Sequence, residues 1–496
     1  MLRDGVADSA QLSKQVNRGV AWAASAQAVI AVADMVSQLL VVALWVGAED
    51  YGIAFMAVPF YAALDSAADL GVTSALIQRD DHTQERVSTV FWLNVMVSGA
   101  LFVGLLVLGP LYGRLQGYRV VGWLLVAYGG KLVLQNVYAI PFALLRKELR
   151  FSDIAKARII AHLAESAARI VFAAMGYTIW CFTFAALVRT VVFGAIMQAR
   201  HPFRPRFVFR PKEVTPYVRF GLRSAASQVL YQLYTSMDSP IVSYFFGATA
   251  NGIYALADSI VLEPVKTIAN VVIDVAFSTF AKLRDNRGAL VAQFIRFTRL
   301  NLIFVLPFVC LILLVIPEFL RAFYSSGNWT PDQLAQCATA ARLLCVMGVL
   351  RALGFLGPPL LDGIGKPELT LRYMVLASIA VPGSFALSAW LLGPSLGFLS
   401  VALAWALGYP IAFAILVYLI KVSVGLPLRA YVRGAWGIVG CCGAGLGAGF
   451  AVSAALAATA DVPRMIAVSA TSLGVTLALL VTWQKITPRS IAAALR

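Results

Sequence analysis

The chain has 496 residues, 60% of them hydrophobic and only 13% charged, whereas a soluble globular protein carries about 25% charged residues. An ordinary soluble domain is therefore excluded. The net charge of +16 invites a nucleic-acid partner, but the basic residues fall mostly in short loops between apolar runs, as the positive-inside rule describes, so no nucleic acid is expected.

In chain order, residues 1–19 are polar and no small-residue cleavage site follows a short apolar core, so they read as a cytoplasmic tail before an uncleaved first span at 20–46. Apolar runs at 53–78, 88–110, 120–145, 159–176 and 178–199 complete a block of six spans over 20–199. Each run is long enough for a helix to cross a hydrocarbon core about 30 Å thick. The Pro-rich basic stretch 200–216, with His201-Pro202-Phe203-Arg204-Pro205-Arg206 and Pro216, reads as a cytoplasmic inter-lobe linker. A second block, 217–420, holds runs at 219–246, 253–280, 291–316, 332–361, 371–392 and 398–420. Residues 421–496 add two spans, 434–458 and 464–484, and a cytoplasmic C-terminal tail. The expected fold is an all-α polytopic membrane protein with about 14 transmembrane helices, in two six-helix lobes plus two extra C-terminal helices.

Loop charge sets the side. The tails and even-numbered loops carry about 26 Lys or Arg, the odd-numbered loops about 4, which places both termini in the cytoplasm. The odd loops are short, such as Gly47–Gly52, Gly176–Tyr177, Gly247–Gly252 and Gly393–Gly397. They leave no room for an extracytoplasmic domain.

The blocks echo each other. Gly47-Ala48 with Gly52-Ile53 recurs as Gly247-Ala248 with Gly252-Ile253, an offset of 247 − 47 = 200 residues. Pro141, Leu144-Leu145 and Lys147-Glu148-Leu149 are echoed by Pro359-Leu360-Leu361 and Lys366-Pro367-Glu368-Leu369. Duplicated lobes of this kind place a substrate site near mid-membrane at the repeat interface. Span 434–458 carries Gly443-x-x-x-Gly447 and Gly445-x-x-x-Gly449, a spacing that lets helix backbones approach closely, either within the chain or at a homodimer face. The cysteines Cys181, Cys310, Cys337, Cys345, Cys441 and Cys442 lack zinc-ligand spacing and read as small core hydrophobes.

Six cations lie in the middle of apolar runs: Lys131, Arg169, Arg189, Lys266, Arg342 and Arg351. A cation at the bilayer centre costs roughly 2.5–3.5 kcal/mol unless it meets protein, water or a counter-charge. They point to a polar, water-filled interior and an anionic cargo. The spans also hold acids, so the interior is not simply basic. Glu165 with Arg169, and Glu263 with Lys266, share helix faces and can neutralise each other. Lys131, Arg189, Arg342 and Arg351 have no acid at helical spacing in their own spans, which leaves cargo contact or pairing with another helix. Asp34, Asp65, Asp69 and Asp238 are candidates for coupling to H+ or Na+, with a buried cation's partner or a helix cap as the plainer reading. The scattered histidines His82, His162 and His201 indicate no metal site, and no cofactor is expected. Asp80-Asp81 reads as a solvated loop, and no Walker A run exists.

The runs Gly47-Ala48-Glu49-Asp50-Tyr51-Gly52, Asp69-Leu70-Gly71, Ala75-Leu76-Ile77-Gln78, Phe91-Trp92-Leu93-Asn94 and Leu144-Leu145-Arg146-Lys147-Glu148-Leu149-Arg150-Phe151 resemble the amino-terminal signature of bacterial polysaccharide flippases of the Wzx type. These belong to the multidrug/oligosaccharidyl-lipid/polysaccharide exporter superfamily. The resemblance is strong over about 20–155 and topological beyond. It implies two lobes around a central cavity, a bacterial inner-membrane location and no catalytic residues. It further implies that an undecaprenyl-pyrophosphate-linked oligosaccharide passes from the cytoplasmic to the periplasmic leaflet by alternating access, for exopolysaccharide, capsule or O-antigen synthesis. A polysaccharide polymerase and chain-length or export proteins are the partners implied. A cation-coupled drug antiporter of the same fold, and a membrane-embedded glycan polymerase or glycosyltransferase, are the alternatives. The first should show a cavity of acids and aromatics, the second a large periplasmic loop or soluble catalytic domain.

Overall fold

The computed structural model describes residues 26–27, 29–68, 83–210 and 226–486. Asp69, Asp80-Asp81, both terminal tails and the end of the 200–216 linker therefore lie outside the described residues. Among the described residues every regular element is helical. Among the described residues nine helices are long and apolar enough to cross a membrane by length and composition. The chain forms two compact units, Met1–Leu233 and Tyr234–Arg496.

The first unit begins with α1 (Val29–Leu44), which turns at Trp45–Gly47 into α2 (Ala48–Met56) and α3 (Val58–Ala68). Next come α4 (Gln84–Leu115) and α5 (Arg119–Lys147), then α6 (Phe151–Ala174) and α7 (Cys181–Arg200). Thr83 starts α4 by accepting the Arg86 amide, at 3.4 Å, on its hydroxyl, which satisfies one of the orphan donors of a helix N-terminus. The crossing of α4 and α5 is close because Gly109, Gly113 and Gly122 face each other. A Cβ added to Gly122 would lie 2.7 Å from the Gly109 carbonyl oxygen.

Between α5 and α6 the turn 148–150 forces Leu149 into positive φ (56°), an uncommon conformation for a side-chain-bearing residue. Arg150 then donates to Asp153 (Nε to Oδ2, 2.8 Å), and that hydrogen bond raises its pKa above arginine's usual value. The flippase-like run Leu144–Phe151 is thus a tight, charge-pinned helical turn. The corresponding turn of the second unit ends α12 (Gly357–Gly363) before α13 (Pro367–Leu396), and there Gly365 holds the positive φ (78°). The sequence echo marks equivalent turns.

After α8 (226–236), the second unit takes up α9 (Asp238–Lys282), broken at Gly247 with φ 85° and ψ −179°. The contacts Tyr254 to Asp238 and Ser239 to Asn251 straddle that glycine, so the helix folds back on itself there. Only glycine adopts this backbone readily. α10 (Arg287–Tyr324) is capped by Asn286, and α11 (Pro331–Gly354) by a capping box of Thr330 with Gln333. α12 and α13 lead to α14 (Leu399–Val424), which stops at left-handed Gly425. α15 (Leu428–Ala455) and α16 (Asp461–Thr482) form a last hairpin that packs on α10.

That hairpin resolves the glycine stripes. A Cβ on Gly445 would meet the Ser472 carbonyl oxygen of α16 at 2.6 Å, and one on Gly449 would meet Leu314 of α10 at 2.5 Å. Gly443 and Gly447 have nothing within 4 Å. The 445/449 stripe is an intramolecular seam. Gly445→Val is therefore expected to lower the thermal midpoint of the purified protein, by an overpacking cost of about 1–3 kcal/mol. Gly443→Val should leave it within about 0.5 kcal/mol, as surface substitutions usually do. Equal shifts for both variants would contradict the seam. All six cysteines are buried free thiols, as expected of core hydrophobes.

Candidate functional site

In the first unit, helical periodicity puts His162, Glu165 and Arg169 of α6 on one face, at spacings of three and four. Arg189 of α7 and Asp34 of α1 meet that face. Glu165 is the hub. Its Oε2 accepts from Arg189 Nη1 at 3.0 Å, and its Oε1 lies 3.4 Å from Arg169 Nη2. Arg169 Nη1 also donates to Ser37 Oγ at 2.9 Å and to the Asp34 carbonyl at 3.2 Å. His162 Nδ1 sits 2.8 Å from Asp34 Oδ2 and 3.6 Å from Glu165 Oε2. Glu165 and Arg169 are closed to solvent, at 6% and 9% side-chain exposure, while Arg189 keeps 33%. The buried members have traded water for one another, which is how a charge survives in a low-dielectric setting.

A second group lies beside it. Lys131 of α5 is buried, donates to the Tyr61 hydroxyl and lies over the Tyr61 ring, 4.3 Å from its centroid. Tyr61 stacks on Tyr128 (4.4 Å) and donates to Asp65 Oδ1 at 3.2 Å, which also accepts from Gln135 Nε2 at 2.8 Å. Arg189 acts electrostatically on both Lys131 and Asp65, so it joins the two groups. Counting formal charges, Lys131, Arg169 and Arg189 balance Asp34, Asp65 and Glu165. The five described candidates of this unit (Lys131, Arg169, Arg189, Asp34 and Asp65) are thus brought into one neutral network.

Asp34, His162 and Glu165 offer donor atoms within 4.8 Å of one another, a spacing that could hold a metal ion. Both Glu165 oxygens are already engaged by guanidinium groups, so an arriving cation would have to displace a positive charge.

In the second unit Asp238, Lys266 and Arg351 act electrostatically on a shared neighbour, Asp258, while Arg342 stands apart. Asp238 is buried at the start of α9, where its Oδ2 accepts from Tyr254 OH (2.7 Å) and Trp405 Nε1 (2.9 Å) and its Oδ1 from the Ser239 amide (2.9 Å). Arg351 of α11, 1% exposed, sits over the ring of that same tryptophan, 5.3 Å from its centroid. The indole thus links a cation on its face to a carboxylate at its edge, each of which it suits. Lys266 Nζ donates to Glu263 Oε1 at 2.7 Å within α9, the pairing readable from their spacing. Arg342 of α11 is exposed and makes no hydrogen bond or ion pair among the described residues.

Sequence reasoning missed His162, Tyr61, Gln135 and Trp405. His162 had a signal in its three-residue spacing to Glu165. The other three have none, because a tyrosine, glutamine or tryptophan in a span reads equally well as core or interfacial belt.

The sequence profile described as "Polysaccharide biosynthesis protein" matches residues 41–332, more than half of the chain. The chain is 25% identical to the lipopolysaccharide biosynthesis protein WzxC of Escherichia coli (strain K12), over 86% of this chain and 85% of that protein. It is likewise 25% identical to the teichuronic acid biosynthesis protein TuaB of Bacillus subtilis (strain 168), over 74% of each. Among solved structures, a lipid II flippase MurJ in an inward closed conformation superposes with a TM-score of 0.75 at 16% identity, covering 93% of this chain and 98% of that one. An inward-facing multidrug resistance MATE transporter superposes at 0.58 with 18% identity, covering 80% and 95%. These solved structures share the fold.

Proposed function

Since the chain belongs to the polysaccharide biosynthesis protein family, we propose that it flips an undecaprenyl-pyrophosphate-linked oligosaccharide from the cytoplasmic to the periplasmic leaflet of the bacterial inner membrane. It is a multi-pass membrane transporter and not an enzyme. The observation that carries the reading is the charged network whose Lys131 and Arg189 lie on helices long and apolar enough to cross a membrane, above all Arg189, paired yet one-third open. A pyrophosphate competes well with a carboxylate for such a guanidinium, since arginine binds both through two parallel hydrogen bonds. Lys131 adds a point charge next to it. When the phosphate takes Arg189, Glu165 loses a counter-charge, and a proton taken up by the Asp34–His162–Glu165 group restores neutrality. Release of the proton on the other side returns Arg189 to Glu165 and frees the cargo. The network thereby supports coupling to an ion gradient and alternating exposure of the site to the two sides. Both termini, by loop charge, are cytoplasmic. A polymerase and chain-length proteins are the partners this role requires.

The test is complementation of a strain lacking the gene. Arg189→Gln with Lys131→Gln is expected to reduce polysaccharide export about tenfold or more, the worth of one charge-assisted hydrogen bond, with the protein still in the membrane. Lipid-linked repeat units should accumulate on the cytoplasmic leaflet. Normal export by the double variant would refute the reading.

A further inference from the structure

The second unit holds a cavity of about 550 Å³ that the network above does not use. Its walls are the end of α10, the start of α11 and Asp461, the first residue of α16. By loop charge this is the extracytoplasmic end. Ala335 and Ala338 leave the space open on the α11 side, and Arg342 lines the same wall. Arg342 lies 342 − 331 = 11 residues into α11, about 16 Å along the axis at 1.5 Å per residue. A guanidinium at that depth needs water or an anion. Among the described residues it has no acid partner.

The other lining cation is held. Arg321 Nη2 and Nε reach Asp461 Oδ1 and Oδ2, at 2.8 and 3.3 Å. Arg321 also lies 3.7 Å from Glu318, whose Oε1 is 3.4 Å from Arg464 of α16. These four residues form a balanced latch between α10 and α16, with two acids and two arginines. Asp461 is the one acid lining the cavity and is engaged on both oxygens, so the charge of Arg342 stands in excess. A cavity with one excess guanidinium and a second one held by a half-exposed latch suits an oxyanion.

We propose that this cavity is a phosphate-binding site, in which Arg342 is the resident ligand and Arg321 is recruited when the phosphate displaces Asp461. Occupation of the site therefore loosens the latch that ties the α15–α16 hairpin to α10. The flippase reading bears only on the source of the phosphate, which is either the cargo's pyrophosphate arriving at the outer leaflet or the headgroup of an ordinary anionic lipid.

The experiment uses the full-length protein in detergent, titrated calorimetrically with inorganic pyrophosphate. Wild type should bind saturably. Arg342→Gln should weaken binding about tenfold, the worth of a charge-assisted contact, and Arg342→Lys should retain most of it. Asp461→Asn should tighten binding severalfold, because Arg321 then keeps only its longer, 3.7 Å contact with Glu318. The opposite signs are diagnostic: a latch that is only structural gives weaker or unchanged binding in Asp461→Asn, and that result, or equal affinity for Arg342→Gln and wild type, overturns the proposal. Native mass spectrometry of the same variants from vesicles of phosphatidylcholine with phosphatidylglycerol separates the sources. Alongside the pyrophosphate changes above, phosphatidylglycerol retained by wild type and lost in Arg342→Gln assigns the site to a lipid headgroup, and retention unaltered in Arg342→Gln assigns it to the cargo. Lost export in Arg342→Gln with neither ligand affected sinks this site and leaves the transporter reading intact.

Discussion

Replacing Glu165 with alanine is expected to destabilise the first unit by about 3–5 kcal/mol, the cost of stripping the partner from a buried charge. Glu165 is 6% exposed and sits against Arg169, 9% exposed, and Arg189, 33% exposed. Arg189 can turn part of its charge to solvent. Arg169 cannot, so it carries most of the loss, left with Ser37, the Asp34 carbonyl and the face of the Phe182 ring, none of which is charged. The measurement is the thermal midpoint of the purified protein in a fixed detergent. Glu165→Ala combined with Arg169→Leu should recover most of the loss, since an apolar replacement of a whole buried pair is often neutral or stabilising. A single variant within about 1 kcal/mol of wild type would show that Glu165 is not the hub.

Gly122→Val is the second large effect. The added Cβ would lie 2.7 Å from the Gly109 carbonyl oxygen, 2.8 Å from Pro110 Cα and 2.9 Å from the Gly109 carbonyl carbon. All three are backbone atoms, so no rotamer change relieves them and α4 must move away from α5. Overpacking of this kind costs typically 1–3 kcal/mol and occasionally more, and here the upper end is expected because the obstacle is a helix axis. Gly130→Val, on the same helix with nothing within 4 Å, carries the same change in helix propensity without the clash. The expected outcome is a lower yield of folded protein and a reduced thermal midpoint for Gly122→Val alone. Matched behaviour of the two variants would disprove the close crossing.

Much of the architecture was legible before any coordinates. The hydropathy runs 88–110 and 120–145 became Gln84–Leu115 and Arg119–Lys147, and the 200-residue echo fell on two chain reversals, at Gly47 and Gly247. These features are local. Burial in lipid selects long apolar runs, a helix satisfies its own backbone within its own segment, and a reversal needs particular residues at the turn. Glu263 with Lys266 was legible for the same reason, because three residues of α-helix place them side by side.

What only the tertiary structure decided is who meets whom across helices. Arg189 has no acid at helical spacing in its own segment, yet it bonds Glu165, twenty-four residues upstream. Arg351 lies over Trp405, whose indole edge serves Asp238. Of two overlapping glycine stripes on α15, one is a seam and the other faces open space. Each outcome depends on how a helix is rotated about its axis and which neighbour it packs against. Those degrees of freedom are set by the summed packing of many side chains rather than by any short run of sequence. The sequence by itself therefore determined which long helices carry charged residues and at which positions, while the packing of the helices decided which of those charges neutralise each other and left Arg342 facing a cavity.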